Sequence, residues 1–200
     1  MSKYHFSITI NDNEFLLWDI KKNKIFNKRF KSLKKDQIIN IPLFSKELSH
    51  FFREFHIHLS LFGYKLIFIK PLALNVVLLE KYLEIFNDYF RKIEVVNIEE
   101  ILKIDKNISY LNINHHYLDY YYLKKNKLET LRVNKNLFNN NTLKTIKYLF
   151  TAIFKSKRMI VFGNDENIPS IVEELNHNYN IIATFPEFHH KYILEEYKKK

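Results

Sequence analysis

Three histidine pairs are the side chains of this sequence best suited to hold a transition metal: His56 with His58, His115 with His116, and His189 with His190. Imidazole nitrogens bind such ions, but several must reach one point at once. His56 and His58 lie two apart in a stretch that reads as helix, not the four apart that shares a face. Adjacent histidines on a strand point to opposite sides. The chain has no cysteine to complete a site, so no metal is expected. Tyr117, Tyr120, Tyr121 and Tyr122 could stack bases. On a strand they alternate faces, half into a core and half outward, and aromatic strand preference accounts for them. Glu80, Glu84 and Asp88 fall at helical spacing and read as one solvated face beside Lys81 and Arg91. No serine sits in a G-x-S-x-G elbow. No catalytic residue is expected.

Phosphate chemistry is limited by a shortage. Loops that cradle phosphate use glycine where backbone N–H groups must approach oxygen, or where φ is positive. Gly63 and Gly163 are the 2 glycines in 200 residues.

Composition bounds the rest. A chain of 200 residues with 46% hydrophobic content fits one large domain or two small lobes with a real core. The start reads as an alternating strand, not a secretory leader. No stretch approaches the roughly 18 apolar residues of a spanning helix. The expected location is the cytoplasm, with a peripheral membrane position left open. A net charge of +10 admits nucleic acid or an anionic membrane surface as partner. The lysines are spread along the chain, however, and Lys, Asn, Ile, Phe and Tyr are all abundant, as A/T-rich codons dictate. Nucleic acid is therefore not expected, and the lysines that end the tail offer only a weak contact with anionic lipid.

Alternation and turn clusters place the elements. Residues 4–10, 15–20 and 25–30 read as a β-meander around the turn Asn11-Asp12-Asn13. Residues 36–42 read as an extended link. A helix capped by Ser45 runs to about Leu61, presenting Leu48, Phe51, Phe52, Phe55 and Leu59, with Gly63 as its C-terminal glycine. Strand 65–70, helix 75–90 and strand 94–97 form a parallel βαβ unit. After a helical turn at 99–103 the plan repeats. Strands 109–113, 117–123 and 128–133 form a second meander, and an asparagine-rich loop covers 134–141. Helix 142–155, strand 159–162, helix 169–176 and strand 181–184 follow, with a tail helix from His189. Residues 1–103 and 104–200 are expected to be the two lobes.

This order resembles the bacterial actin-like family, MreB most closely. The stretch Lys34-Lys35-Asp36-Gln37-Ile38-Ile39-Asn40, ahead of Leu48-Ser49-His50-Phe51-Phe52-Arg53, is similar to the family's charged stretch before an aromatic-ended helix. Leu66-Ile67-Phe68-Ile69-Lys70-Pro71 with Glu94-Val95-Val96-Asn97 resembles its strand, proline, helix and strand. Residues 110–119 sit where the second phosphate loop would be. Ile160-Val161-Phe162-Gly163-Asn164 resembles the adenosine loop. The resemblance implies two small actin-like, ribonuclease H-like α/β lobes with mixed sheets, facing each other across a nucleotide cleft. The short connections after Phe30 and Val133 leave no room for the family's outer subdomains.

Against that pattern the cleft reads as degenerate. Where the family has D-x-G-T, this chain has Thr9-Ile10-Asn11-Asp12. Where it has D-x-G-G-G-T-T, this chain has Asn112, Ile113, Asn114, His115, His116, Tyr117 and Leu118. Gly163 and Asn164 are what remains of the adenosine loop. The family's magnesium-binding aspartates are replaced by Thr9 and Asn112, and Mg²⁺ needs carboxylate oxygen. The resemblance thus implies a pseudo-ATPase without cofactor, a cytoskeletal, cell-shape or division scaffold. Its partner would be itself or another actin-like protein. A residual ATP switch and a basic nucleic-acid or membrane-surface binder are the alternatives.

Overall fold

A computed structural model describes residues 4–57, 63–72, 74–102, 107–153, 157–179 and 181–184. The chain divides into two compact units, Met1–Glu100 and Ile101–Lys200.

In the first unit, β1 (Phe6–Asn11), β2 (Glu14–Asp19) and β3 (Lys24–Arg29) form an antiparallel meander. A minimal hairpin, β4 (Leu33–Lys34) with β5 (Gln37–Ile38), leads to α1 (Ile41–Glu54). Strand β6 (Tyr64–Lys70), helix α2 (Val76–Asn87) and strand β7 (Phe90–Asn97) complete a sheet of order β3-β2-β1-β6-β7. Strand β6 runs parallel to both β1 and β7. A short helix α3 (Ile98–Ile101) follows.

Alternation decides which side of β1 meets the helices. Phe6, Ile8 and Ile10 join one apolar cluster with Phe44, Leu48, Phe51 and Phe52 of α1 and Tyr82 and Phe86 of α2. The centre of that cluster is aromatic. Phe15 stacks on Phe30 at 5.0 Å and meets Phe51 edge-on at 5.2 Å, while Phe68 meets Phe86 at 5.3 Å.

Helix α1 begins a turn earlier than expected. Asn40, not Ser45, is its cap, accepting the Leu43 N–H at 3.0 Å, and Pro42 occupies the first turn, where its missing N–H costs nothing. The helix ends at Glu54, and His56 follows with φ 50°. Leu59 and Leu61 lie outside the described residues. Gly63 therefore does not cap α1. It has φ +68° just before β6, and a Cβ there would sit 2.3 Å from the Arg91 Cβ of β7. Strand β7 also starts earlier than expected, at Phe90.

The second unit repeats the plan. Strands β8 (Ile108–Ile113), β9 (Tyr117–Lys124) and β10 (Lys127–Asn134) form the meander. Helix α4 (Thr142–Ile153), β11 (Arg158–Gly163), α5 (Ile168–Asn178) and β12 (Ile182–Thr184) complete a sheet of order β10-β9-β8-β11-β12. Strand β11 is parallel to β8 and β12. Its core is mainly aliphatic: Leu111, Ile113, Leu118, Ile146, Leu149, Met159, Val161, Ile171 and Leu175. The expected mixed-sheet α/β plan is thus present twice. A single 3₁₀ turn, Lys135–Phe138, occupies the stretch expected to be loop, and no subdomain stands between β10 and α4.

The tyrosines of β9 depart from expectation. Tyr117 and Tyr121 share one face and Tyr120 the other, yet all three are buried. Both faces of this strand are covered, so alternation does not divide core from solvent there.

Removing an aromatic from the first core should cost as much as a large cavity does. Phe51→Ala is expected to destabilise the chain by about 3–5 kcal/mol in urea unfolding. A loss under about 1 kcal/mol would mean that Phe51 does not sit at the centre of the aromatic cluster.

Candidate functional site

The sites read from the sequence lie on two hairpin tips, one in each unit. In the first, Thr9 stands in β1 between Leu16 and Ile69, and Asn11 pairs with Glu14 at the strand end. Both are buried. Asp12 makes the turn with φ 60° and no exposed surface. Its N–H donates to Asp36 Oδ1 at 2.6 Å. Its own Oδ1 accepts the Lys35 N–H at 3.0 Å. The Asp36 N–H closes the exchange onto the Asp12 carbonyl, also at 3.0 Å.

Lys35 and Asp36 have φ 50° and 65°, so left-handed turns meet side by side without glycine. Asp and Asn tolerate that region because their short side chains bond nearby backbone. From α2, the Tyr82 hydroxyl donates to the Asp36 carbonyl at 2.9 Å. Burial first, and then the Asp36 charge, push the Tyr82 phenol well above its usual pKa, so it stays a donor. The amides of Asp12, Lys35 and Asp36 are all bonded within the chain.

The second tip gathers Asn112, Asn114, His115, His116, Gly163 and Asn164. Asn112 lies in β8 between Asp119 of β9 and Phe162 of β11. Asp119 is buried and holds Arg132 of β10 through two bonds, 2.6 Å to Nε and 2.7 Å to Nη2. The guanidinium also lies 3.7 Å from the centre of the Tyr117 ring. Asn114 closes the hairpin by donating its N–H to the Tyr117 carbonyl at 2.9 Å. His115 and His116 form the turn itself rather than a strand, both half-buried.

One buried ion pair ties the loops together. Lys135 Nζ donates to Asp165 Oδ2 at 2.6 Å and to the Asn114 carbonyl at 2.9 Å. The side chains of the pair are 3% and 5% exposed. The Lys135 N–H bonds the His116 carbonyl at 2.9 Å. Asp165 further accepts from the Thr142 hydroxyl at 3.2 Å and from Asn167, through its N–H at 2.9 Å and its side-chain amide at 3.1 Å. Burial works to raise the Asp165 pKa, but the bonds from Lys135 and Asn167 and the lysine charge outweigh it. Its carboxyl titrates below the ordinary range.

Gly163 is held by close approach. With φ +132°, a Cβ there would lie 1.9 Å from the Ile113 carbonyl oxygen. That oxygen accepts the N–H groups of Asn164 and Asp165 at 3.0 and 3.2 Å. The carboxamide of Asn114 stands apart from this network. It is fully buried, with neither its oxygen nor its nitrogen hydrogen-bonded among the described residues, and His115 Nε2 is likewise unbonded.

The structure therefore keeps Thr9, Asn11 and Asp12 at one tip and gathers the other six residues at the second. Sequence reading missed Lys135 and Asp165 as a pair, and Asp36 as the partner of Asp12. Lys135 sat in an asparagine-rich stretch read as loop, and nothing local marks a lysine whose partner lies thirty positions away. His56 lies beyond its helix, and His58, His189 and His190 lie outside the described residues. Among the described residues no group of three or more His, Asp or Glu could hold a metal ion.

Breaking the ion pair tests its role. Lys135→Met leaves a buried carboxylate alone and is expected to cost about 3–5 kcal/mol, whereas Lys135→Met with Asp165→Leu should cost much less. A folded carboxyl pKa below the unfolded one adds stability above about pH 4, and that stability fades as pH falls through the folded value. The stability gap between the native chain and Asp165→Asn should accordingly narrow on acidification. A gap that widens would contradict the assignment.

No family model matches the sequence, and no curated protein matches it. Solved structures do match. EutJ, an ethanolamine utilization protein from Carboxydothermus hydrogenoformans, superposes with a TM-score of 0.65 at 8% identity, over 93% of this chain and 85% of that one. MreB 5 of Spiroplasma citri, solved with AMPPNP bound, gives 0.62 at 8% identity over 97% and 94%. AlfA from a B. subtilis plasmid, solved as a filament, gives 0.58 at 11% identity over 92% of each. At such identities the likeness is one of fold. With its repeated order of three antiparallel and two parallel strands, this chain has the actin-like ATPase fold.

Proposed function

We propose that the chain is a non-catalytic, minimal actin-like protein, a pseudo-ATPase that serves as a cytoskeletal, cell-shape or cell-division scaffold. It works through protein contacts, with itself or another actin-like protein as partner. One observation carries the reading: backbone groups at both hairpin tips are bonded internally. The Asp12 N–H is spent on the Asp36 carboxylate, and Gly163 is spent on its approach to Ile113. A phosphate at the first tip would have to displace a buried carboxylate that already holds those donors.

The acidic groups are engaged as well. Asp165 is paired with Lys135 and Asp119 with Arg132, so neither is poised to order the water shell of Mg²⁺. Surface chemistry supports a contact role. Ile39 and Val76 are 60% and 69% exposed in the first unit, and Leu137 is 72% exposed in the second. The filament form of AlfA supports the idea that this fold can present such faces to copies of itself. Among the described residues no helix is long and apolar enough to cross a membrane.

A second reading, a residual nucleotide switch, has one observation in its favour. The unbonded, buried Asn114 carboxamide could receive a polar ligand atom at the second tip.

Nucleotide titration separates the two. The scaffold reading expects no thermal stabilisation by ATP with Mg²⁺ at about 1 mM, because a ligand at about a hundred times its Kd would add roughly 2.7 kcal/mol. It also expects light scattering at micromolar concentration to give a mass above that of the monomer. A magnesium-dependent stabilisation that Asn114→Ala abolishes would replace the scaffold with the switch.

A further inference from the structure

The first unit carries a cavity at the end of its sheet remote from the Asp12 turn. It has a volume of about 260 Å³, and its lining includes His5, Phe6, Lys21, Phe26, Phe55 and Tyr64. Strand β1 enters at His5 and Phe6, and its other end is Asn11. The cavity and the closed tip are therefore separated by the length of that strand, about 3.3 Å per residue. Nothing in the scaffold reading uses it.

We propose that this cavity binds a small aromatic anion: a single planar ring carrying a phosphate or carboxylate group. The walls account for the ring. Tyr64 meets His5 and Phe6 edge-on, each at 5.1 Å, and Phe26 lies tilted against Phe55 at 4.9 Å. Phe26, Phe55, Ile57 and Tyr64 are partly buried and pack against the apolar core. The rings offer both edges and faces to a flat guest.

The rim accounts for the charge. Lys21 and Lys22 stand on the turn after β2, and His56 on the turn after α1. Asp19 is the single carboxylate on the lining, and it is occupied. Its Oδ1 accepts the Lys22 N–H at 2.9 Å and its Oδ2 lies 3.8 Å from Lys22 Nζ. Lys21 is left with no carboxylate of the lining to answer it.

His5 can supply a donor. Its Nδ1 accepts the Lys65 N–H at 3.3 Å, which puts the neutral ring's proton on Nε2. Burial, then Lys21 and Lys65, hold this imidazole below its ordinary pKa, against the opposite pull of Asp19. An anion between His5 and Lys21 would relieve the repulsion that those cations impose. The size sets the limit: the cavity is smaller than the usual pocket for a drug-sized ligand, so a one-ring guest fits and a dinucleotide does not.

The test uses the full chain and phenyl phosphate, followed by ¹H–¹⁵N NMR. The expected result is a saturable shift centred on the amides of His5, Lys21, Lys22 and Tyr64, with a Kd below about 1 mM. Lys21 is exposed, so its replacement leaves the core intact. Lys21→Gln is expected to weaken binding about tenfold, as the loss of one charge-assisted bond should, and Lys21→Glu further still. Benzyl alcohol and inorganic phosphate should each bind at least about tenfold more weakly than phenyl phosphate. Absence of saturable shifts up to about 10 mM, equal affinity for inorganic phosphate, or indifference to Lys21→Glu would each overturn the proposal.

Discussion

Backbone amides at a buried turn must be bonded to something, because an orphaned one costs about as much as a lost hydrogen bond. Most of this architecture can be understood from how the chain meets that demand with almost no glycine. Among the described residues nine left-handed positions fall to residues other than glycine, Asp12, Lys35, Asp36, Asn126 and Asn139 among them. At the first tip two of them, Asp12 and Asp36, supply side chains that bond the opposing turn. In the first unit a carboxylate caps the opposing amide, and in the second an ammonium caps the opposing carbonyl. The two tips reach the same end with reversed polarity. Asp36 takes the Asp12 N–H, whereas Lys135 supplies a donor to the Asn114 C=O.

Reversed polarity has an energetic consequence. The Asp12 and Asp36 carboxylates each accept a backbone N–H. At the second tip a buried lysine needs a counter-charge, and Asp165 provides it from the far side of Gly163. Desolvating both ions is expensive, and the pair holds only while every remaining donor and acceptor is satisfied. Thr142 and Asn167 satisfy Asp165, while Asn114 and Asp165 hold Lys135. The hairpin β8–β9, the 3₁₀ turn after β10, the start of α4 and the start of α5 are thereby fixed to one point.

The repeated sheet order was readable in the sequence because it rests on local signals. Two meanders with turn clusters between alternating runs, each followed by helix, strand and helix patterns, recur in the same order. The cores built on that order differ, aromatic in the first unit and aliphatic in the second, so strand period and connection length set the topology and residue identity does not. Other features were hidden for physical reasons. Asn40 and Ser45 are both good caps, and Pro42 tips the choice by suiting the first turn of a helix. Alternation in β9 misled because both its faces are buried. The pairs Asp12 with Asp36 and Lys135 with Asp165 join residues twenty-four and thirty positions apart. No local pattern encodes such separations.

The two ends of β1 illustrate what that packing leaves available. At Asn11 the strand runs into a turn where side-chain carboxylates bond the Asp12 and Lys35 amides. At His5 the strand begins beside a turn of consecutive lysines and a break after α1, and no element covers the aromatic rings among the described residues. At one end, aspartate carboxylates bond the backbone of the adjoining turn. Openness at the other follows from lysines that stay in solvent while their neighbours stay in the core. Under the scaffold reading, in which the nucleotide end is filled by the chain's own residues, the proposed cavity lies at the opposite end of the same strand.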